Sequence, residues 1–288
     1  MDRLHRINPF AKRETHDPHA ILWYKICTIL TWLLSVVTSV YYTFDAPYDD
    51  KTKQRTIWGQ NSHHHTAFAL NSCIASIYWI VLFILQGGYI WHLFSPNADY
   101  VNAAASVGSH FIFNNLLHFA FVMLFVRSHF VWAELILIIN FFNLSSLYFR
   151  HPASPRFVHL PAVSGPLAWS FVALYWNGAI AFHAEGLAGR ILANISVWGI
   201  LVCGLFFLVT FKDYTIGFSL SVLSASLGVG QFLRQVIAFQ WIFAFTIMAT
   251  LFVATFVITL PEIFGSRFSR REAVVAEDQE RAPLLDDN

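Results

Sequence analysis

AAASVGSHFIFNNLLHFAFVMLFVRSHFVWAELILIINFFNLSSLYF, residues 103–149, holds two long apolar runs joined by only three residues, Arg127, Ser128 and His129. Across the whole stretch Arg127 and Glu134 are the only formal charges. A helix needs about 20 mainly apolar residues to cross the ~30 Å hydrocarbon core of a bilayer, and each run reaches that length. Lipid offers no partner to a bare N–H or C=O, so a run of this kind is a helix. A three-residue connection sends the second helix back alongside the first. The stretch therefore reads as an antiparallel pair of spanning helices.

The same criterion applied outward finds six more runs: Ile21 to Tyr42, Thr66 to Phe94, Pro161 to Phe182, Ile191 to Phe211, Thr215 to Leu233 and Gln235 to Leu260. With Ala103 to Val126 and Phe130 to Phe149 they make eight, and Lys25 and Glu134 are the only charges inside them. The short connection at Arg234 leaves one alternative, a re-entrant piece followed by a long helix and seven crossings in all. The fold class is all-α, a polytopic transmembrane helix bundle over 21–263. A polar tail, 1–20, precedes it, and the tail 264–288 is too poor in apolar groups to fold alone. Composition agrees, with 56% hydrophobic, 17% aromatic and 12% charged residues, where a soluble domain carries about 25% charged residues. Disorder and a secreted disulfide scaffold are excluded. So is nucleic acid as a partner, because 18 Lys and Arg against 17 Asp and Glu leave no basic footprint.

Lys and Arg accumulate on the cytosolic side of a membrane protein. Eight crossings from a cytosolic start put Arg3, Arg6, Lys12, Arg13, Lys25, Arg150, Arg156, Lys212, Arg267, Arg270, Arg271 and Arg281 in the cytosol. Only Lys51, Lys53, Arg55, Arg127, Arg190 and Arg234 lie on the other side. Both termini are accordingly expected in the cytosol. The first run shows no small-residue cleavage site and reads as an anchor, while Asp2, Glu14 and Asp17 weigh against a mitochondrial presequence. The three cysteines, Cys27, Cys73 and Cys203, all fall inside predicted helices, so no disulfide and no zinc site is expected.

Several stretches resemble one family. AAASVGSHFIFNNLLHFAFVMLFVRSHF (103–130), NFFNLSSLYFRH (140–151) and VSGPLAWSFVALYWNGA (163–179) are similar to a fungal family of integral-membrane proteins known as domain of unknown function 1774. NPFAKRE (8–14), TIWGQN (56–61) and QWIFAFTIM (240–248) fit it too, so the resemblance covers nearly the whole chain except its last 25 residues. It implies the architecture and a fungal source. It implies no mechanism and no catalytic residue.

Polar groups at membrane depth are costly and mark functional sites by default. On the third run Ser106, His110, Asn114 and His118 recur every four residues and share one helix face. The two histidines stand ~12 Å apart along the axis, too far to share a metal ion, and no haem or other cofactor is expected. Two readings stand. In one, His110, Asn114 and His118, with Glu134 and Asn177, line a polar pathway for a solute or protons. In the other they are packing contacts. Counted outward from the turn, Asn114 and Asn115 fall at the depth of Asn140 and Asn143, where amide hydrogen bonds would tie the hairpin. Glu134 lies about one turn in from the non-cytosolic end, either as a proton carrier or as an interfacial acid paired with a turn arginine. Ser164-Gly-Pro166 predicts a kink or a late helix start; Trp176 with Asn177 reads as the wall of a pocket that stacks on a flat ligand, and the Trp and Tyr residues of this run, Trp169, Tyr175 and Trp176, otherwise read as interface anchors. Gly217, Ser221, Ser224, Ala225 and Gly228 form a small-residue stripe for close helix packing, within the chain or in a homodimer. His63, His64 and His65 read as a solvated loop.

In the C-terminal tail, Arg267, Arg270 and Arg271 follow the last run and suit anionic lipid. Glu280, Leu284 and Leu285 match the acidic dileucine pattern read by clathrin adaptors, which points to the secretory or endosomal and vacuolar system. No nucleophile, base and acid stand together, so the enzyme reading has no residue to rest on, though a lipid-modifying enzyme would draw on Glu134 and His129. The leading expectation is a multi-pass protein handling a small solute or protons. The other is a non-catalytic scaffold.

Overall fold

The computed structural model describes residues 17–49, 54–150, 155–183, 186–234 and 239–280, with side chains as far as Leu260. Eight helical segments are long and apolar enough to cross a membrane. They are α1 (Pro18–Phe44), α3 (Ser72–His92), α4 (Ala98–Val126), α5 (Phe130–Arg150), a broken helix made of α6 (Arg156–His159) and α7 (Gly165–Ala181), the pair α8 (Leu187–Ser196) and α9 (Trp198–Phe211), α10 (Tyr214–Arg234), and α11 (Gln240–Glu280) up to Leu260. A short helix, α2 (Ile57–His63), stands in the first loop. Each of the eight predicted runs coincides with one of these segments, and Arg234 ends a full-length helix, which removes the seven-crossing alternative. Successive crossings alternate in direction. One face of the bundle thus gathers the 44–72 connection and the turns at 127–129 and 182–186, and is called the loop face below.

Local chemistry sets the boundaries. Pro18 occupies the first turn of α1, where its missing N–H costs nothing, behind the extended Asp17. Asn71 caps α3 by accepting from the Ile74 N–H at 3.1 Å, and Asn97 caps α4 through the Asp99 N–H at 2.8 Å. Ser128 (φ 63°) and Lys212 (φ 52°) take the left-handed conformation that lets the α4–α5 and α9–α10 connections turn within two or three residues.

Packing runs inward from lipid. In its most apolar stretch the α6–α7 segment is 72% buried and α10 is 67% buried, against 11% for α1. These two form the centre, and α1 lies at the edge against α4. Leu30, Val37, Phe142, Val209, Val253 and Val257 point outward, as side chains facing acyl chains do. The stripe on α10 is used inside the chain. A Cβ on Gly217 would come within 2.6 Å of Thr255 Oγ1 and 2.7 Å of Leu208, and one on Gly228 within 2.9 Å of the Phe245 ring. Ser221 Oγ donates to the Met248 carbonyl at 3.0 Å, and Ser224 is buried beside it. Small residues let α10 seat on α9 and α11 this closely.

Three boundaries depart from the sequence reading. Thr66 to Asn71 is irregular, and α3 begins only at Ser72, because Asn71 supplies a cap. The predicted break in the fifth crossing is a π-helical turn, Leu160–Ser164, between α6 and α7. Pro166 has no N–H to reach the Pro161 carbonyl in the five-residue pattern, and Gln86 Nε2 donates to that carbonyl instead at 3.3 Å. The backbone of α11 also stays helical to Glu280, through much of the tail expected to be disordered, in a stretch rich in the helix formers Arg, Glu and Ala. Leu284 and Leu285 of the sorting pattern lie outside the described residues, as does the N-terminal tail before Asp17.

Close approach gives a direct test. A Cβ on Gly230 would meet the Ala69 carbonyl at 2.5 Å and the Asn71 nitrogen at 2.9 Å, both backbone atoms that cannot swing away. A Cβ on Gly88, exposed on α3, meets nothing within 4 Å. Gly230→Ala should destabilise the detergent-solubilised protein by about 1–3 kcal/mol, while Gly88→Ala should be neutral or stabilising by up to about 1 kcal/mol. Thermal unfolding of the two variants checks this pair of opposite signs.

Candidate functional site

The site is built around the segment from Gln54 to Asn71, which folds down onto the loop face. Irregular backbone at such a place is stable only if side chains satisfy it. Thr56 caps α2 by accepting from the Gly59 N–H at 2.9 Å. Gln60 Nε2 donates to Val126 O at 3.2 Å and to Ser128 Oγ at 2.8 Å, at the end of α4. Asn61, fully buried, pairs with both backbone groups of Leu70 at 2.9 and 3.1 Å, and its Oδ1 also accepts from Trp176 Nε1 at 2.9 Å. From α10, Gln231 Nε2 donates to the carbonyls of Thr66 and Ala69 at 3.0 and 3.1 Å, and the Arg234 guanidinium donates to the Asn61 carbonyl. The TIWGQN stretch is thus a cap, a tight turn and two amide clamps.

Beneath this segment lies a chamber of about 270 Å³ bounded by α1, α2, α3, α4 and α7. Four tryptophans line it, Trp58, Trp79, Trp169 and Trp176, with His118, Phe121 and Phe125. Trp58 and Trp176 stack with centroids 6.0 Å apart, and the His118 ring stacks on Trp79 at 4.3 Å. Trp169 meets Trp79 edge-on at 5.2 Å. His118 is held by Ser39 Oγ at 3.0 Å from Nε2. The indole N–H groups of Trp58 and Trp169 are buried and have no hydrogen-bond partner, a state that costs free energy and is rare in folded proteins. Val40 and Phe44 of α1 and Ile80 of α3, each at least half exposed, border the chamber, so its open side faces lipid.

The other predicted residues are distributed over separate contacts. Asn140 Nδ2 donates to Asn114 Oδ1 at 2.9 Å and to Ser170 Oγ at 3.3 Å, tying α4, α5 and α7. His110 Nδ1 meets Asn143 Oδ1 at 2.8 Å, and Asn143 Nδ2 donates back to the His110 carbonyl at 3.2 Å. Asn115 bonds within its own helix, to Phe111 O at 2.9 Å. Glu134 accepts from Asn177 Nδ2 at 2.7 Å and lines a second cavity, away from His118. Arg127, the turn arginine, pairs with Asp49 at 2.9 Å and does not reach it. His63 and His65 are exposed, and His64 packs edge-on against Phe130 at 5.0 Å. Among the described residues no three His, Cys, Asp or Glu side chains come together as a metal site.

One cluster escaped sequence reasoning. At the face opposite the loops, Asp213 Oδ2 lies 2.8 Å from His159 Nε2, and Oδ1 accepts from Thr215 N at 2.9 Å and from Thr215 Oγ1 at 2.6 Å. Since the Thr215 hydroxyl donates to Asp213, Ser164 Oγ donates to it in turn at 2.7 Å. The acid caps α10 and clasps it to the π-turn. Nothing in the spacing of residues 159, 164, 213 and 215 announces this; two lie at the π-turn of the fifth crossing and two at the start of α10, about 50 positions on. Burial pushes the Asp213 carboxyl up, but the hydrogen bond and charge of His159, with the Thr215 and Ile216 donors, outweigh it and hold its pKa below the usual carboxylate value. A lowered folded pKa means the stabilisation is complete above the unfolded value, about 3.9, and fades as pH falls through the lower folded one. Asp213→Asn should cost about 1–3 kcal/mol at pH 7, and the gap to the parent protein should narrow as unfolding is measured below about pH 4. A gap independent of pH would show that the charge is not used.

Comparison with known proteins adds a lineage and no activity. Residues 190–285, from α8 into the C-terminal tail, match the profile of a family described as "Fungal protein of unknown function (DUF1774)". The match includes tail residues for which no resemblance was read in the sequence. A protein of Schizosaccharomyces pombe, described as uncharacterized, is 27% identical over 250 residues, covering 82% of this chain and 87% of the relative. No solved structure matches. Over its last third this chain is therefore similar to the fungal DUF1774 family, and over most of its length to an uncharacterized S. pombe protein.

Proposed function

We propose that the protein handles a small, flat, largely apolar solute taken from the bilayer, and holds it in the tryptophan chamber. The observation that carries this reading is a lipid-bordered chamber of about 270 Å³ walled by four tryptophans, two of which, Trp58 and Trp169, have buried indole N–H groups that meet no partner among the described residues. A ligand with one acceptor oxygen, such as a sterol hydroxyl or a ring carbonyl, would engage one of these donors once that indole ring turned toward the chamber, while the flat body of the ligand lay against the stacked rings. The positive charge bias supports the loop face as the non-cytosolic one, so the chamber belongs to the outer half of the membrane. The membrane-depth polar residues support a different role for themselves: Asn114, Asn140, His110 and Asn143 are engaged with one another and with Ser170, and line none of the chamber. A solute path along the polar face of α4 finds no support in that pairing. The scaffold reading draws on the same pairs, which fix helices and need no ligand.

A photoactivatable sterol analogue incorporated in vesicles with the purified protein discriminates the two. Saturable labelling should map to peptides carrying Trp58, Trp79 or Trp169. Trp58→Phe and Trp169→Phe, which keep a ring and remove a donor, should each weaken labelling by about fivefold. Labelling spread along the lipid-facing sides of α1 and α11, unchanged by either substitution, would remove the chamber reading and leave the scaffold.

A further inference from the structure

The second cavity, of about 280 Å³, lies on the other side of α7, between it, α8 and the Ala67–Phe68 stretch. Trp176 faces the chamber, while Asn177 and Gly178, the next two residues, turn Glu134 toward this cavity. Glu134 is 9% exposed. Its Oε2 accepts from Asn177 Nδ2 at 2.7 Å, and its Oε1 accepts from none of the described residues. Neither the Arg127–Asp49 nor the His159–Asp213 ion pair includes it. Gly178 lets Oε1 reach the cavity past α7, since a Cβ there would stand 3.2 Å from it. Phe68, 6% exposed, and Tyr175 form an adjoining wall with ring centroids 5.1 Å apart, and Phe182 stands exposed at the mouth. Four residues beyond the start of α5, Glu134 lies ~6 Å inside the loop-face end of its crossing.

A buried carboxylate among aromatic faces suits a cation that gives up water easily. A quaternary ammonium does so, whereas a small metal ion would require several further oxygens that the wall does not offer. We propose that this cavity binds a trialkylammonium group, with Glu134 supplying the counter-charge and Phe68 and Tyr175 their ring faces. The same chemistry is carried by the headgroup of a choline lipid and by a free quaternary amine. The site is independent of the chamber ligand and stands or falls separately.

The test uses the full chain purified in a maltoside detergent, which carries no ammonium. Native mass spectrometry after exchange with vesicles of equal phosphatidylcholine and phosphatidylglycerol should show preferential retention of phosphatidylcholine. Free tetramethylammonium should displace it and raise the thermal unfolding midpoint. Glu134→Gln, which preserves the Asn177 hydrogen bond, should weaken the choline preference about tenfold or more, and Phe68→Leu several-fold, while Tyr175→Phe should keep it. Stabilisation by tetramethylammonium without retained lipid would assign the site to a free amine, within the proposal. Equal retention of both lipids with no response to tetramethylammonium would overturn it, whether or not the variants fold. So would a folded Glu134→Gln protein with the parent's preference.

Discussion

Asn61 is the contact on which both cavities depend. Lipid offers no hydrogen bonds, so the stretch from Gln54 to Asn71, a short helix followed by irregular chain, can rest on the bundle only if its free backbone groups are met by side chains. The Asn61 amide closes the stretch on itself through Leu70 and anchors it to α7 through the Trp176 indole. Gln231 and Arg234 hold it from α10, and Gln60 from the end of α4. That single folded stretch then carries Trp58 into the chamber on one side and Phe68 into the Glu134 cavity on the other. Its position is further fixed by Gly230, the one residue type that leaves room for the Ala69 carbonyl.

The polar residues of the interior divide into two kinds by whether they line a cavity. Asn114 with Asn140, and His110 with Asn143, bond across α4 and α5 away from both cavities and act as ties of modest strength, about 0.6 kcal/mol for an average membrane pair. Trp58, Trp169 and Glu134 keep a donor or acceptor unmet by the chain. The second kind costs stability unless something from outside completes it. Asn140 Oδ1 is unmet as well, so an unmet group marks a candidate binding residue here only where it belongs to a cavity wall.

Much of this was legible in the sequence, for identifiable reasons. Uncharged runs of spanning length locate all eight crossings, because the bilayer thickness imposes one length on each. Counting residues outward from the Arg127 turn put Asn114 level with Asn140, and the structure pairs them, because two straight helices rise at the same 1.5 Å per residue. His110 with Asn143 is a variation that the count places near but not together. Trp176 was visible as a wall or an anchor, and only the fold decides between them. Trp79 carried no signal, since a tryptophan in an apolar run faces lipid or cavity with the same neighbours in sequence, and Trp58 sat in the first loop, whose packing against the bundle no local pattern announces. The start of α3 was read six residues early because Thr66 to Asn71 is apolar enough to pass for helix, while its stability comes from Gln231, 162 positions beyond Ala69. The Asp213 clasp was hidden for the same reason, since His159 is 54 positions away.

Two stacked ring pairs, two unmet indole donors and an opening toward lipid make the chamber the feature that most asks for an occupant. Cryo-electron microscopy of the protein in nanodiscs of native lipid would show it directly. The account predicts flat, continuous density against Trp58, Trp79 and Trp176, with a polar end within hydrogen-bond distance of a Trp58 or Trp169 indole nitrogen. A chamber closed by α1 moving onto α3, with both indole nitrogens bonded to the chain, would contradict it.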